Sequence, residues 1–142
     1  MKSNIYTLII FFATIFAIAS CENDVWEDLP SPVANFFTTY FPGQEVNSYT
    51  TGNNESIATV KGGVTVTFNS HNSWITVNGN GSPLPEILIY DQLPEKLYTY
   101  LEQTENTENV YKISRNSTVY TVELLDSSIT YDISSQVIKS VV

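Results

Sequence analysis

The chain has 142 residues, six Lys+Arg against fifteen Asp+Glu, and a formal net charge of −9 at pH 7. An acidic chain without basic clusters lacks the field that nucleic acid or anionic headgroups require, which excludes both as ligands. A single cysteine and a single histidine leave no disulfide within the chain and no thiolate metal site.

The first elements in chain order form an address. Lys2 puts a positive charge beside Met1, and Ile5 to Ala19 is almost wholly apolar. Ile18-Ala19-Ser20-Cys21 follows, then the acids Glu22, Asp24, Glu27 and Asp28. A basic start, a short apolar run and small residues before a cut site make a secretory signal peptide. The run falls short of the roughly 20 apolar residues of a membrane span. Its last four residues resemble the lipobox of bacterial lipoproteins, in which the thiol takes a diacylglyceryl group and the chain is cut before the cysteine. The expectation is a signal peptide over 1–20, lipidation at Cys21, and a membrane anchor through the lipid. The mature chain would then sit on the outer membrane, on its periplasmic side or at the cell surface. An uncleaved anchor with an incidental cysteine is the plainer alternative, and the complete signature in order weighs against it. Residues 21–28 read as an acidic tether, whose acids either solvate it or direct surface display.

From Leu29 onward the sequence repeats. Leu29-Pro30 recurs as Leu93-Pro94, and Val33, Phe36 and Phe37 match Leu97, Tyr100 and Leu101 at the same offset. Past a one-residue deletion, Val64-Thr65-Val66-Thr67-Phe68 matches Ser127-Ser128-Ile129-Thr130-Tyr131, and Trp74-Ile75 matches Val137-Ile138. Two homologous halves, 29–78 and 93–142 with a joint over 79–92, are the simplest account, together making one domain over 29–142.

Each half opens with an amphipathic helix. Apolar residues at 29, 33, 36, 37, 40 and 41 lie on one helical face, with Ser31 as the cap and Pro32 in the first turn. Tyr40-Phe41-Pro42-Gly43 stops it. Leu93, Leu97, Tyr98, Tyr100 and Leu101 form the second stripe, with a softer stop over Thr104 to Asn109. After each helix the period becomes two. Strands are expected at Glu45–Thr51, Ser56–Lys61, Val64–Asn69 and Trp74–Asn78, then at Asn109–Ser114, Thr118–Leu124, Ser128–Ile133 and Gln136–Val142. Gly62-Gly63 marks a two-residue hairpin. In the joint, Asn78 to Ser82 is a turn, while 83–90 fits a short helix without its periodicity deciding so. Val64, Val66 and Phe68 face one way, as do Ile129, Tyr131 and Ile133; Thr65, Thr67, Thr130 and Asp132 face the other. A sheet with one apolar face must cover it, and the two helices are the cover. The fold class is therefore α+β: tandem α-β-β-β-β units forming an antiparallel sheet, helices packed on one face.

Leu29-Pro30, the helix, Tyr40-Phe41-Pro42-Gly43, Gly62-Gly63, Phe68 and Trp74, repeated and placed behind a lipoprotein signal, resemble the β-lactamase-inhibitor-like, PepSY-like proteins. The resemblance spans about the whole mature chain and rests on structural rather than catalytic motifs. It implies a continuous antiparallel sheet with helices on one face, export, and an inhibitory or protein-binding role. The second half lacks the Phe-Pro-Gly and carries Asp126-Ser127 at its hairpin. No inhibitory residue carries over, because no such motif is matched.

Catalytic and metal signatures are weak. His71 sits in a polar turn beside Asn72 and Ser73, no Gly-x-Ser-x-Gly surrounds a serine, and no EF-hand, Walker or dinucleotide pattern occurs. No cofactor is expected. Glu102, Glu105 and Glu108 read as a solvated face. Phe36, Phe37, Tyr40, Phe41, Tyr98 and Tyr100 read as core, whereas Tyr49, Trp74, Tyr111 and Tyr120, on strands, become binding anchors if they reach the open face. The functional expectation is a non-enzymatic module that holds a protein, an inhibitor of an exported enzyme being one form. The candidate face is Thr65, Thr67, Thr130 and Asp132. An aromatic patch there would favour this reading, and a uniform Thr/Ser/Asp face would count against it. A structural or sensory accessory lipoprotein is the alternative, and a hydrolase using His71 the next.

Overall fold

The computed structural model describes residues 24–142, so the signal peptide and Cys21 lie outside the described residues. The chain runs as α1 (Asp24–Glu27), α2 (Ser31–Tyr40), β1 (Val46–Thr51), β2 (Glu55–Val60), β3 (Thr65–Asn69), β4 (Trp74–Asn78), α3 (Glu86–Gln92), α4 (Glu95–Gln103), β5 (Lys112–Arg115), β6 (Val119–Glu123), β7 (Ser128–Asp132) and β8 (Ile138–Val141). The eight strands form one antiparallel sheet in sequence order, β1 through β8. The α+β class and the antiparallel sheet agree with the sequence reading. Trp74–Asn78 matches its expected bounds; the other strands shift by a few residues at their ends, and β5 begins at Lys112 rather than Asn109.

Helix starts depend on proline more than on side-chain caps. Pro30, Pro85 and Pro94 precede α2, α3 and α4 with φ of −56°, −59° and −54°, the value the pyrrolidine ring imposes. Ser31 does not cap α2. The helix starts one residue earlier than expected, with the Ala34 amide donating to the Pro30 carbonyl at 3.0 Å, so Ser31 is already helical. At the far end, the Phe41 amide donates to Phe37 O at 2.8 Å and Gly43 turns the chain at φ 80°. The stop of α4, expected to be soft, is a defined Schellman motif built without glycine. The Asn106 amide donates to Leu101 O at 2.8 Å, the Glu105 amide to Glu102 O at 3.1 Å, and Glu105 is left-handed at φ 61°.

Three local expectations change. The Gly62-Gly63 turn is a three-residue connection: the Val60 amide bonds Val64 O at 3.0 Å, the Gly63 amide bonds Val60 O at 2.9 Å, and Gly63 has φ 99°. The described part of the acidic tether is a helical turn, α1, which packs against β1 with Val25 on the core. In the joint, 86–92 is helical and packs beside α4.

One core lies between the helices and the sheet. Phe36 and Phe37 of α2 set their rings 5.6 and 6.1 Å from Phe68 of β3, while Leu88, Ile89, Leu97 and Leu101 close over the same cluster with Val66, Val77, Ile113 and Ile129. Burying each such side chain stabilises by roughly 1.5–3 kcal/mol. The strands before and after the 79–92 joint meet where β4 pairs with β5. Gly79 donates to Tyr111 O at 2.8 Å and Leu84 to Val110 O at 2.7 Å. A Cβ at Gly79 would collide with the Ser82 carbonyl of the same turn and crowd the Tyr111 carbonyl beyond it, so this tight turn needs glycine there.

Candidate interaction faces

Strand register lines up the open face. Thr50, Ile57, Thr67, Thr76, Ser114, Thr121, Thr130 and Lys139 stand opposite one another in turn, one per strand, from β1 to β8. The next row runs Ser48, Thr59, Thr65, Asn78, Lys112, Glu123, Ser128 and Val141. Adjacent members lie at the interstrand spacing of about 4.8 Å, and the branched Thr side chains hold few rotamers. The structure thus brings Thr67 and Thr130 into one row, with Thr65 in the neighbouring row. Asp132 stands apart, opposite Val119 near the sheet end.

These residues differ in what their polar atoms already do. Asn80 donates to Thr65 Oγ1 at 3.0 Å and to Gly63 O at 2.6 Å, so the Thr65 hydroxyl ties down the joint. Asp132 Oδ1 accepts from the Ser135 amide at 2.8 Å and from Ser134 Oγ at 2.9 Å. The Ser135 amide foremost, with the Ser134 hydroxyl, holds its carboxyl below the usual range, making Asp132 the organiser of the β7–β8 turn. Lys112 and Glu123 form an ion pair at 3.6 Å within the second row.

The open face is rich in Thr and Ser, ten of the sixteen residues in the two rows, with Ile57 on β2 and Val141 on β8 as exposed aliphatics toward its two edges. Of the four aromatics expected on strands, Tyr49, Trp74 and Tyr120 turn inward, whereas Tyr111 precedes β5 and is half-buried. Tyr49 faces the helix side opposite Ala58, and Tyr120 does so opposite Tyr131. Trp74 reaches that side through a β-bulge: Thr67 opposes Thr76 while Phe68 opposes Trp74, leaving Ile75 extra and reversing the alternation.

Beneath the helices these rings join a polar chain. Trp74 Nε1 donates to Gln92 Oε1 at 2.8 Å, Gln92 Nε2 donates to the Tyr40 hydroxyl at 2.6 Å, and that hydroxyl donates to Asp91 Oδ2 at 3.2 Å. Burial, opposed by the Gln92 contact and reinforced by Asp91, raises the Tyr40 pKa. Among the described residues every buried side-chain nitrogen and oxygen has a partner. Arg115, the only arginine in the chain, lies over the Trp74 ring at 4.0 Å and donates Nε–H to the Trp74 carbonyl at 2.8 Å. Sequence reasoning passed over it. Its signal was compositional: one arginine among the few cations of an acidic chain.

Elsewhere the chemistry is sparse. His71 is exposed in the β3–β4 turn, where its backbone amide donates to Asn69 Oδ1 at 2.9 Å. Glu102, Glu105 and Glu108 are exposed. Among the described residues no cluster of His, Cys, Asp or Glu has metal-binding proximity, and no described helix is long and apolar enough to cross a membrane. A groove of about 540 Å³ lies between α1 and the turn after α2, lined by Trp26, Phe37, Phe41 and Pro42 with Glu27 and Glu45.

No curated protein matches the chain. Its fold is similar to solved Bacteroides structures. One, from Bacteroides vulgatus, is described as a "putative periplasmic protein from DUF2874 family" (TM-score 0.65, 21% identity, covering 80% of this chain and 90% of that one). Another, from Bacteroides thetaiotaomicron, is described as a "putative calcium-regulated periplasmic protein" (TM-score 0.66, 19% identity, 81% and 91% covered). A third, again from Bacteroides vulgatus, is described as a "putative periplasmic protein of unknown function" (TM-score 0.66, 18% identity, 80% and 92% covered). At these identities the likeness concerns the fold. Residues 54–139, more than half the chain, match the family model described as "Putative beta-lactamase-inhibitor-like, PepSY-like", and the chain belongs to that family.

Proposed function

We propose that this chain is a lipid-anchored protein of the cell envelope that acts without catalysis, as a protein-binding module on its open sheet face. An exported enzyme held inactive is one form its partner would take. The observation that carries the reading is the uncovered face: two rows of side chains cross all eight strands while the core lies on the other side. The lipobox-like Ile18-Ala19-Ser20-Cys21 supports the anchor, with the domain of 29–142 following the tether. The family description and the periplasmic descriptions of the fold's neighbours support the location. The shared chain plan of the halves supports tandem duplication. Val33 and Leu97, Phe37 and Leu101, Val66 and Ile129, and Phe68 and Tyr131 are all buried.

A partner on this face would meet hydroxyls, amides and one ion pair rather than a ring-lined pocket, so its grip comes from shape and many polar bonds. The hydroxyl-rich surface, with Tyr49, Trp74 and Tyr120 on the helix side, counts against a tight partner by the test set from the sequence, and it favours a second reading, an accessory lipoprotein with several weak contacts. Immobilised protein starting at Glu22, incubated with the envelope and medium of its own cells, separates them. One strongly retained protein, lost with Thr67→Glu/Thr130→Glu, is the expected result. Broad weak retention selects the second reading, and equal retention by the variant overturns the open face. For the anchor, Cys21→Ser is expected to stop acyl labelling and move the chain out of the membrane fraction; an unchanged distribution overturns it.

A further inference from the structure

We infer that Arg115, with Trp74 and Tyr120, forms a receptor for a peptide carboxylate carried on an aromatic or apolar stem, on the helix side of the sheet and independent of the open face. The site lies where the β3–β4, β5–β6 and β7–β8 turns gather at one end of the sheet. Register sets Arg115 opposite Tyr120, Tyr120 opposite Tyr131, and Tyr131 opposite Ile138. The Tyr120 ring stands 6.4 Å from Trp74 and 6.3 Å from Tyr131, both edge-on. The guanidinium is thus set into an aromatic wall rather than on a loose surface stem.

Its orientation is fixed twice. Nε–H is committed to the Trp74 carbonyl at 2.8 Å, and the cation rests 4.0 Å above the Trp74 ring. The indole is itself fixed from behind by Gln92. A guanidinium has five N–H donors in a planar fork. With Nε spent, the terminal nitrogens keep the paired donors that match a carboxylate, and no carboxylate among the described residues comes within 4.0 Å of them; the ion pair described in the chain is Lys112 with Glu123. In a chain of fifteen acids, a half-buried arginine with no described carboxylate in ion-pair range fits an acid brought from outside. Preorganisation of the fork, its partial removal from water and its aromatic surround are the features that make Trp, Tyr and Arg binding hot spots. The half-exposed Tyr120 and the exposed Ile133 beside it offer apolar surface to the stem.

The test uses N-acetylphenylalanine as a minimal peptide terminus, its neutral amide as the control for the stem, and acetate as the control for the bare charge. The readouts are the NMR signals of the Arg115 Nε–H and the Trp74 indole N–H. Expected are saturable shifts of both signals with the acid, none with the amide, and weaker binding of acetate. Arg115→Lys keeps the charge but loses the fork, and is expected to weaken binding at least about tenfold. Equal response to acid and amide, or no shift of the Arg115 signal with the acid, overturns the proposal on the wild-type protein alone, whether or not the variant folds. Binding by acetate equal to that of the acid overturns the aromatic stem. Since Thr67 and Thr130 lie on the opposite face, failure here leaves the open-face reading standing, and the reverse holds too.

Discussion

The two faces of the sheet are built from nearly the same shapes. Val64, Val66 and Phe68 turn inward from the segment that sends Thr65 and Thr67 outward, and Val77 turns inward between Thr76 and Asn78. Valine and threonine share the β-branch that suits a pleated strand, and differ by a methyl exchanged for a hydroxyl. Strand preference is therefore satisfied on both sides, and polarity alone chooses which side takes the helices. A one-residue slip would reverse that choice along a strand. The bulges at Ile75 and at Asn47 are the places where the chain uses such a slip deliberately, carrying Trp74 to the covered face.

The comparison is broken most strongly from the covered side. Phe37 is fully buried, with Phe36, Phe41 and Phe68 rings 5.6 to 6.1 Å away. Phe37→Ala is expected to cost about 3–5 kcal/mol by urea denaturation, the lost transfer energy plus the cavity. Trp74→Phe comes next. It keeps much of the ring but leaves the Gln92 oxygen without its donor and removes the surface under Arg115. A loss of about 1–3 kcal/mol is expected, and a change below a few tenths would mean the Tyr40–Gln92–Trp74 chain adds little.

The sequence discloses the faces better than the joins between them. Period-two alternation in Val64–Phe68 and in Ile129–Tyr131 suffices for inside and outside, because burial there depends only on neighbouring residues. It does not place Trp74, whose side is decided by an extra residue visible only when β3 and β4 are paired. The match of Trp74-Ile75 to Val137-Ile138 shows the same limit. Trp74 opposes Phe68, and Ile138, not Val137, opposes Tyr131. The Arg115–Trp74 contact is harder still, since it depends on the β4–β5 pairing across the joint. Local side-chain chemistry also left α1 unseen: a turn rich in acids read as solvated, whereas Val25 packs on the core.

Asp132 is expected to produce a smaller effect, visible in pH. Its folded pKa is lowered by the Ser135 amide first and then the Ser134 hydroxyl. Its contribution to stability is therefore fully present above the unfolded value of about 3.9 and is lost as pH falls through the folded value. Asp132→Asn should be less stable than wild type at neutral pH, with the gap shrinking below about pH 4. A gap that stays constant on acidification would assign the effect to the turn's shape rather than to the carboxylate's charge.

The smallest effect is expected on the open face. Thr67 sits mid-row between Ile57 and Thr76, and its hydroxyl faces water in the folded and unfolded states alike. Thr67→Val keeps the branch and the volume and changes only that group. Stability should move by no more than about 0.5 kcal/mol, because no buried hydroxyl is lost and no cavity is made. The variant joins a second aliphatic to Ile57, so any larger consequence should appear in association, as concentration-dependent sedimentation, and not in unfolding. A loss near 2 kcal/mol in the isolated chain would mean that Thr67 is covered and hydrogen-bonded in solution. The contrast between a wet face and a packed one would then be wrong at its centre.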